Sequence, residues 1–313
     1  MHNISAYTCV FDAYKLIILS IDESGDFMQG FDYTYLRRKI YDFKERFPFA
    51  GYSVCARSWS GRAVFVLSLG NREAPALCLG GFKGGDFAGT HIMLQLFERL
   101  CTCVADGVPV SGIKIKDVLR EKGVMIIPCV NPDGMEIASH GATGAGSYAG
   151  LVERVCSDTA SWRANARGVD LNLNFSYGFP QTKKAAEGCG YTSPGPYFYT
   201  GKVPESEPET RALVRLCRAK NIRHTLTVQS GADYIYAPCV EIGAERQDMM
   251  LKIFELSSGV SRMKGECGPL EKHGFSDWFS NTYSRPAFVL NAQLSQKEIY
   301  QRLEEMLILS IVM

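Results

Sequence analysis

Lys83 and Asp86 lie in a glycine-flanked run, Gly80-Gly81-Phe82-Lys83-Gly84-Gly85-Asp86, directly after the apolar stretch Ala76–Leu79. A cation and a carboxylate so placed read either as a solvated loop pair or as part of a buried ion network, because a buried cation requires anions. The glycines suggest a phosphate loop, but their spacing matches neither GxxxxGK[ST] nor GxGxxG. Arg163 and Arg167 stand in Trp162-Arg163-Ala164-Asn165-Ala166-Arg167. A guanidinium suits a carboxylate or a polarised carbonyl, although surface charge is the plainer reading. Asp170 and Asn172 follow, with side chains that hydrogen-bond backbone as readily as a ligand. Gln229-Ser230 and Asn291 close two further apolar runs. Five histidines, His2, His91, His140, His224 and His273, form no HxxxH or HxxE pair. A zinc site assembled from His140, His273 and Asp86 is the remaining combination.

These positions have to be carried by regular elements. Tyr33 to Phe47 has helical apolar spacing and is stopped by Pro48. Tyr52–Trp59 and Arg62–Gly70 read as a hairpin turning at Ser60-Gly61. Pro75–Phe82, an apolar run ending in glycines, and Val124–Val130 read as buried strands, the second ending in a turn at Asn131-Pro132-Asp133-Gly134. Thr90–Val104, Glu207–Ala219, Gln247–Ser258 and Gln296–Met313 are predicted helices, with another starting at Trp278. His224–Val228, Ile235–Val240 and Ala287–Asn291 are predicted strands. Gly141–Tyr199 reads as loop, with a short strand over Gly168–Leu171. Alternating strands and helices predict an α/β fold, a single domain with a mixed, mostly parallel sheet covered by helices on both faces. Residues 1–30 are expected to be an N-terminal extension and 31–313 the domain. In such sheets the site lies beyond the carboxyl ends of the strands, which points to Gly80–Asp86, Asn131–Gly134, Asp170–Phe175, Gln229–Gly231 and Asn291–Gln293.

Four long motifs in order, NPDGMEIASHG, WRANARGVDLNLNF, PESEPETRALV and HGFSDWFSNTYSRPAFVLN, resemble the carboxypeptidase A-type zinc metallopeptidases. ARSWSGRAVFVLSLG resembles the hairpin that precedes them, so the likeness runs from about Tyr33 to Gln293. The motifs most resemble the bacterial branch that cleaves γ-D-glutamyl-diamino acid bonds in cell-wall peptides. The resemblance implies a zinc ion held by an HxxE motif and a later histidine, a glutamate general base, an arginine at the scissile carbonyl and an Asn–Arg clamp on the substrate carboxylate.

At those positions the chain departs from the family. HxxE corresponds to Lys83-Gly84-Gly85-Asp86, the later His-Ser pair to Gln229-Ser230, the base to Asn291, and the clamp arginine to Leu173 beside Asn172. Arg163 matches the carbonyl-polarising arginine and is kept. Asp170 matches the aspartate that supports a zinc-binding histidine from behind. Ammonium groups have no lone pair to offer, glutamine is a poor zinc ligand, and an asparagine takes no proton. The expectation is therefore a family member that has lost zinc and peptidase activity, with no cofactor and a Lys83–Asp86–Asp170 ion network at the former metal position. Its partner is expected to be a peptide or cell-wall fragment, bound and not cleaved. The alternatives are an active metallocarboxypeptidase with unusual ligands and a structural protein whose cleft is idle.

Composition bounds these readings. A net charge of +1 on 313 residues gives no field for nucleic acid or an anionic membrane. With 46% hydrophobic residues the chain can build a large core. The 11 cysteines are odd in number and sit largely in apolar runs, as reduced, buried thiols do. No stretch reaches membrane length, and the apolar run Leu16–Ile21 is short and follows Asp12 and Lys15 without a cleavage site, so a cytoplasmic location is expected.

Overall fold

A computed structural model describes residues 31–239, 243–265, 267–293 and 297–313, with backbone alone over 297–302. The expected extension, 1–30, lies outside the described residues.

Seven strands form one sheet: β1 (Gly51–Arg57), β2 (Ala63–Leu69), β3 (Ala76–Leu79), β4 (Val124–Ile127), β5 (Thr225–Ser230), β6 (Tyr234–Tyr236) and β7 (Ala287–Ala292). Their order is β1-β2-β4-β3-β5-β7-β6. The central pairs β4/β3, β3/β5 and β5/β7 are parallel, while β1/β2, β2/β4 and β6/β7 are antiparallel. The chain thus builds outward from β3 in both directions, and β3 and β5 border the crevice where ligands bind in open α/β sheets.

The buried strands read as continuous apolar runs because both faces are covered, and their two-residue period divides each run between two cores. Cys78, Leu226, Val228, Phe288 and Leu290 face one core. Leu77, Leu79, Met125, Ile127 and Ala287 face the other. The first is covered by α1 (Tyr33–Arg46), α2 (Phe87–Asp106), α8 (Ala244–Ser258) and α10 (Lys297–Val312). The second is covered by α7 (Pro208–Ala219) and α9 (Phe275–Tyr283). Helix α1 shows how local sequence sets an element. Leu36, Ile40 and Phe43 bury one face, Asp32 caps the start by accepting from Tyr35 N–H, and Lys44 and Arg46 complement the last turn.

The segment expected to be loop holds more structure. Asn131-Pro132-Asp133-Gly134 is no free turn: Asn131 caps α4 (Pro132–His140), with proline in the first turn. Helices α5 (Ala149–Val155) and α6 (Phe179–Gly188) follow. The short helix α3 (Ile115–Glu121), between α2 and β4, also escaped the apolar pattern. The strand expected over Gly168–Leu171 is absent; Asp170 instead caps a single 3-10 turn, Leu171–Leu173. His140 ends α4.

Candidate functional site

The loop from Gly80 to Asp86 leaves β3 and turns tightly against its neighbours. Gly84 N–H donates to Arg163 O at 3.1 Å and Gly85 N–H to Trp162 O at 3.0 Å. A Cβ at Gly84 would fall 2.4 Å from Gly134 O, so only glycine fits. These amides serve packing and are committed to carbonyls, which removes the phosphate-loop reading. Asn131 ties the same corner together: its Nδ2 donates to Phe82 O, Arg163 O and Ala164 O.

Asp86 is 3% exposed and caps α2. Its Oδ1 accepts from Gly89 N–H at 3.0 Å, from Ser230 N–H at 3.1 Å and from Ser230 Oγ–H at 2.7 Å. It therefore joins the start of α2 to the end of β5, and an exposed loop pair is excluded for it. Burial raises its pKa, opposed first by the charge of Lys83 and then by those hydrogen bonds. The expected third member of the network has another partner. Asp170 Oδ2 lies 2.5 Å from Arg163 Nε, and its Oδ1 accepts from Asn172 N–H at 3.3 Å.

Arg163, the arginine singled out from its motif, has a side chain 18% exposed. Its guanidinium stands 4.9 Å from the centroid of Phe198. Phe198 has φ +63°, a costly conformation for a bulky side chain. Tyr191 and Tyr197 pack around it at 5.1 and 5.5 Å, so the Pro/Gly/Tyr loop forms an aromatic wall beside Arg163. Asn172 is drawn away to α9, where its Oδ1 accepts from Phe275 N–H at 3.1 Å. Leu173 is buried. Gln229 on β5 pairs in register with Asn291 on β7, and Ser230 with Ala292. Asn291 is 3% exposed, and its Nδ2 finds no acceptor among the described residues.

Several residues that hold this site carried no chemical label in the sequence. Glu207 Oε2 accepts from Asn165 Nδ2–H at 2.8 Å and from Trp59 Nε1–H at 2.7 Å. Asn174 donates to Thr200 O and Val203 O. Asp133, fully buried, accepts from Ser58, Ser60 and Arg62 and so docks the β1–β2 turn. The signal was available: these are the polar residues inside apolar or glycine-rich motifs, which a folded chain buries only when they are satisfied.

Lys83, Asp86, Gln229 and Asn291 do not make a catalytic zinc donor set. One ammonium and two neutral amides accompany a single carboxylate, whose Oδ1 already takes three hydrogen bonds. The assembly considered from His140, His273 and Asp86 does not form either. His273 Nδ1 meets Thr182 Oγ1 at 3.0 Å, and His140 lies with Asp32 and Glu136.

A model of the zinc carboxypeptidase family matches residues 37–283. The chain is 24% identical over 274 residues to the uncharacterized protein YqgT of Bacillus subtilis, covering 86% of this chain and 72% of that protein. It is 21% identical over 265 residues to gamma-D-glutamyl-L-diamino acid endopeptidase 1 of Lysinibacillus sphaericus, spanning 84% of this chain and 65% of that one. Among solved structures, bovine thrombin-activatable fibrinolysis inhibitor in complex with tick carboxypeptidase inhibitor superposes with a TM-score of 0.66 at 18% identity, covering 90% of this chain and 95% of that one. Murein-tripeptide amidase MpaA from Escherichia coli O157 gives 0.51 at 19%, covering 82% and 91%. The expectation that the chain takes no metal is corrected by these findings: the family is a zinc family, and Asp32, Glu136 and His140 bring three ligand atoms within 4.8 Å of one another. Sheet, strand-end site and matched length together make the chain a member of the zinc carboxypeptidase family.

Proposed function

We propose that the strand-end cleft binds a peptide, in particular a cell-wall fragment with a γ-D-glutamyl-diamino acid unit, without hydrolysing it. The observation that carries this reading is Asn291. A buried amide occupies the end of β7, where the resemblance implies the glutamate base, and an amide cannot accept a proton from water. Asp86 stands on the loop after β3, not at the end of β7, and its Oδ1 is spent on the α2 cap and Ser230. Retention of Arg163, oriented by Asp170 and backed by Phe198, supports recognition of an anionic or carbonyl group of the ligand. Lys83 adds a second cation on the same loop corner. A cytoplasmic setting agrees with the free thiols of the described cysteines, and no described helix is long and apolar enough to cross a membrane.

Calorimetry with a synthetic γ-D-glutamyl-diamino acid peptide tests the binding. Wild type should bind, and Arg163→Ala should weaken binding about 10- to 100-fold, the effect of one charged hydrogen-bonding group. Absence of binding by wild type, or equal binding by a folded Arg163→Ala variant, would assign the cleft no role in recognition.

A further inference from the structure

Away from the strand ends, three ligand-type side chains meet where α1 joins α4. Asp32 Oδ1 accepts from Tyr35 N–H at 2.8 Å, and this cap leaves Oδ2 facing His140 Nε2 at 3.2 Å. Glu136 stands one helical turn before His140 on α4, with Oε1 3.9 Å from the same nitrogen. Oε1 is held in place by Tyr33 N–H at 2.8 Å. All three ligand atoms lie within 4.8 Å of one another, and the side chain of His140 is 48% exposed.

Chemistry and geometry both suit zinc. One imidazole and two carboxylates are an ordinary donor set, bonded at about 2.0–2.2 Å, which sets tetrahedral edges of about 3.3–3.6 Å. The 3.2 and 3.9 Å separations from His140 Nε2 bracket those edges, and the Asp32–Glu136 edge lies within 4.8 Å. Two carboxylates converge here, with Arg62 paired to Glu136 and the His140 ring against both. Arg62 is the neighbouring cation, and its Nη1 is engaged by Asp133 at 2.7 Å, leaving Nη2 at 3.5 Å from Glu136 Oε2. Exposure of His140 leaves room for a water as fourth ligand.

We propose that Asp32, Glu136 and His140 form a second-site zinc clamp, separate from the strand-end cleft, that fastens the start of α1 to the end of α4. Its role is structural. Helix α4 carries Asp133, which anchors the β1–β2 turn through Ser58, Ser60 and Arg62, so the ion would brace the corner that backs the cleft.

The test is a zinc titration of the metal-stripped full chain by calorimetry, with thermal melts alongside. Wild type should take up one zinc and melt at a higher temperature with it. Asp32→Asn keeps a good helix cap and removes the anionic ligand, so it should melt like metal-free wild type. Both Asp32→Asn and His140→Ala should bind zinc more than about tenfold more weakly, since even partners outside the coordination shell have effects of that size. No zinc uptake by wild type would overturn the clamp. So would uptake and thermal shift unchanged in both variants, which would place the ion elsewhere.

Discussion

Asp86 decides much at the scale of single residues. One oxygen caps α2 and reaches across to Ser230, so the side chain works in two elements at once. Removing it as Asp86→Ala should cost about 2–4 kcal/mol, combining a lost cap with buried donors left unpaired. Asp86→Asn should cost less, because an amide oxygen still caps. Urea unfolding of the two variants checks this, and equal losses would show that charge and not capping matters. The cap was hidden in the sequence because apolar spacing placed the helix start at Thr90, three residues late. An aspartate followed three residues later by a glycine donor gives no apolar period to read. The ion pair of Arg163 with Asp170 was not legible, because sequence alone does not show that these two side chains meet.

At the scale of elements, the strands and the long amphipathic helices were legible because burial writes a period into sequence. Helices α4, α5 and α6 were not, since glycine, serine and alanine give weak apolar signals; α4 and α5 bury Ile137 and Val152 in one small cluster with Trp162, and α6 buries only Phe179, Thr182 and Ala186. Helix α7 was expected over Glu207–Ala219, yet the sequence did not show that its first turn buries Glu209. Burial pushes that carboxyl up to about 8, with nearby Asp133 and Glu207 raising it further. The folded value lies above the unfolded one, so the folded state binds more protons between about pH 4.5 and 8 and loses stability as pH rises through that window. Glu209→Gln removes the titration. Its stability relative to wild type should therefore increase from pH 5 to pH 8, by on the order of 1–3 kcal/mol. Thermal melts across that range test it, and a pH-independent difference would contradict a buried, protonated Glu209.

For the whole molecule, fold class followed from alternating elements and continuous apolar strands, but strand order did not. Nothing local states that β3 lies between β4 and β5, or that Gln229 and Asn291 stand side by side. That order sets Gln229 beside Asn291 and brings Ser230 to Asp86, and the proposed site adds Lys83 and Arg163 to them. The central claim is that this site recognises and does not cleave. Its most direct measurement is a hydrolysis assay of the full chain with excess zinc and a γ-D-glutamyl-diamino acid peptide, followed by mass spectrometry under conditions where calorimetry reports binding. The expected result is bound, intact peptide. Zinc-dependent cleavage by wild type that disappears in Asp86→Ala or Gln229→Ala, with both variants folded, would contradict it and make the strand-end site a working peptidase.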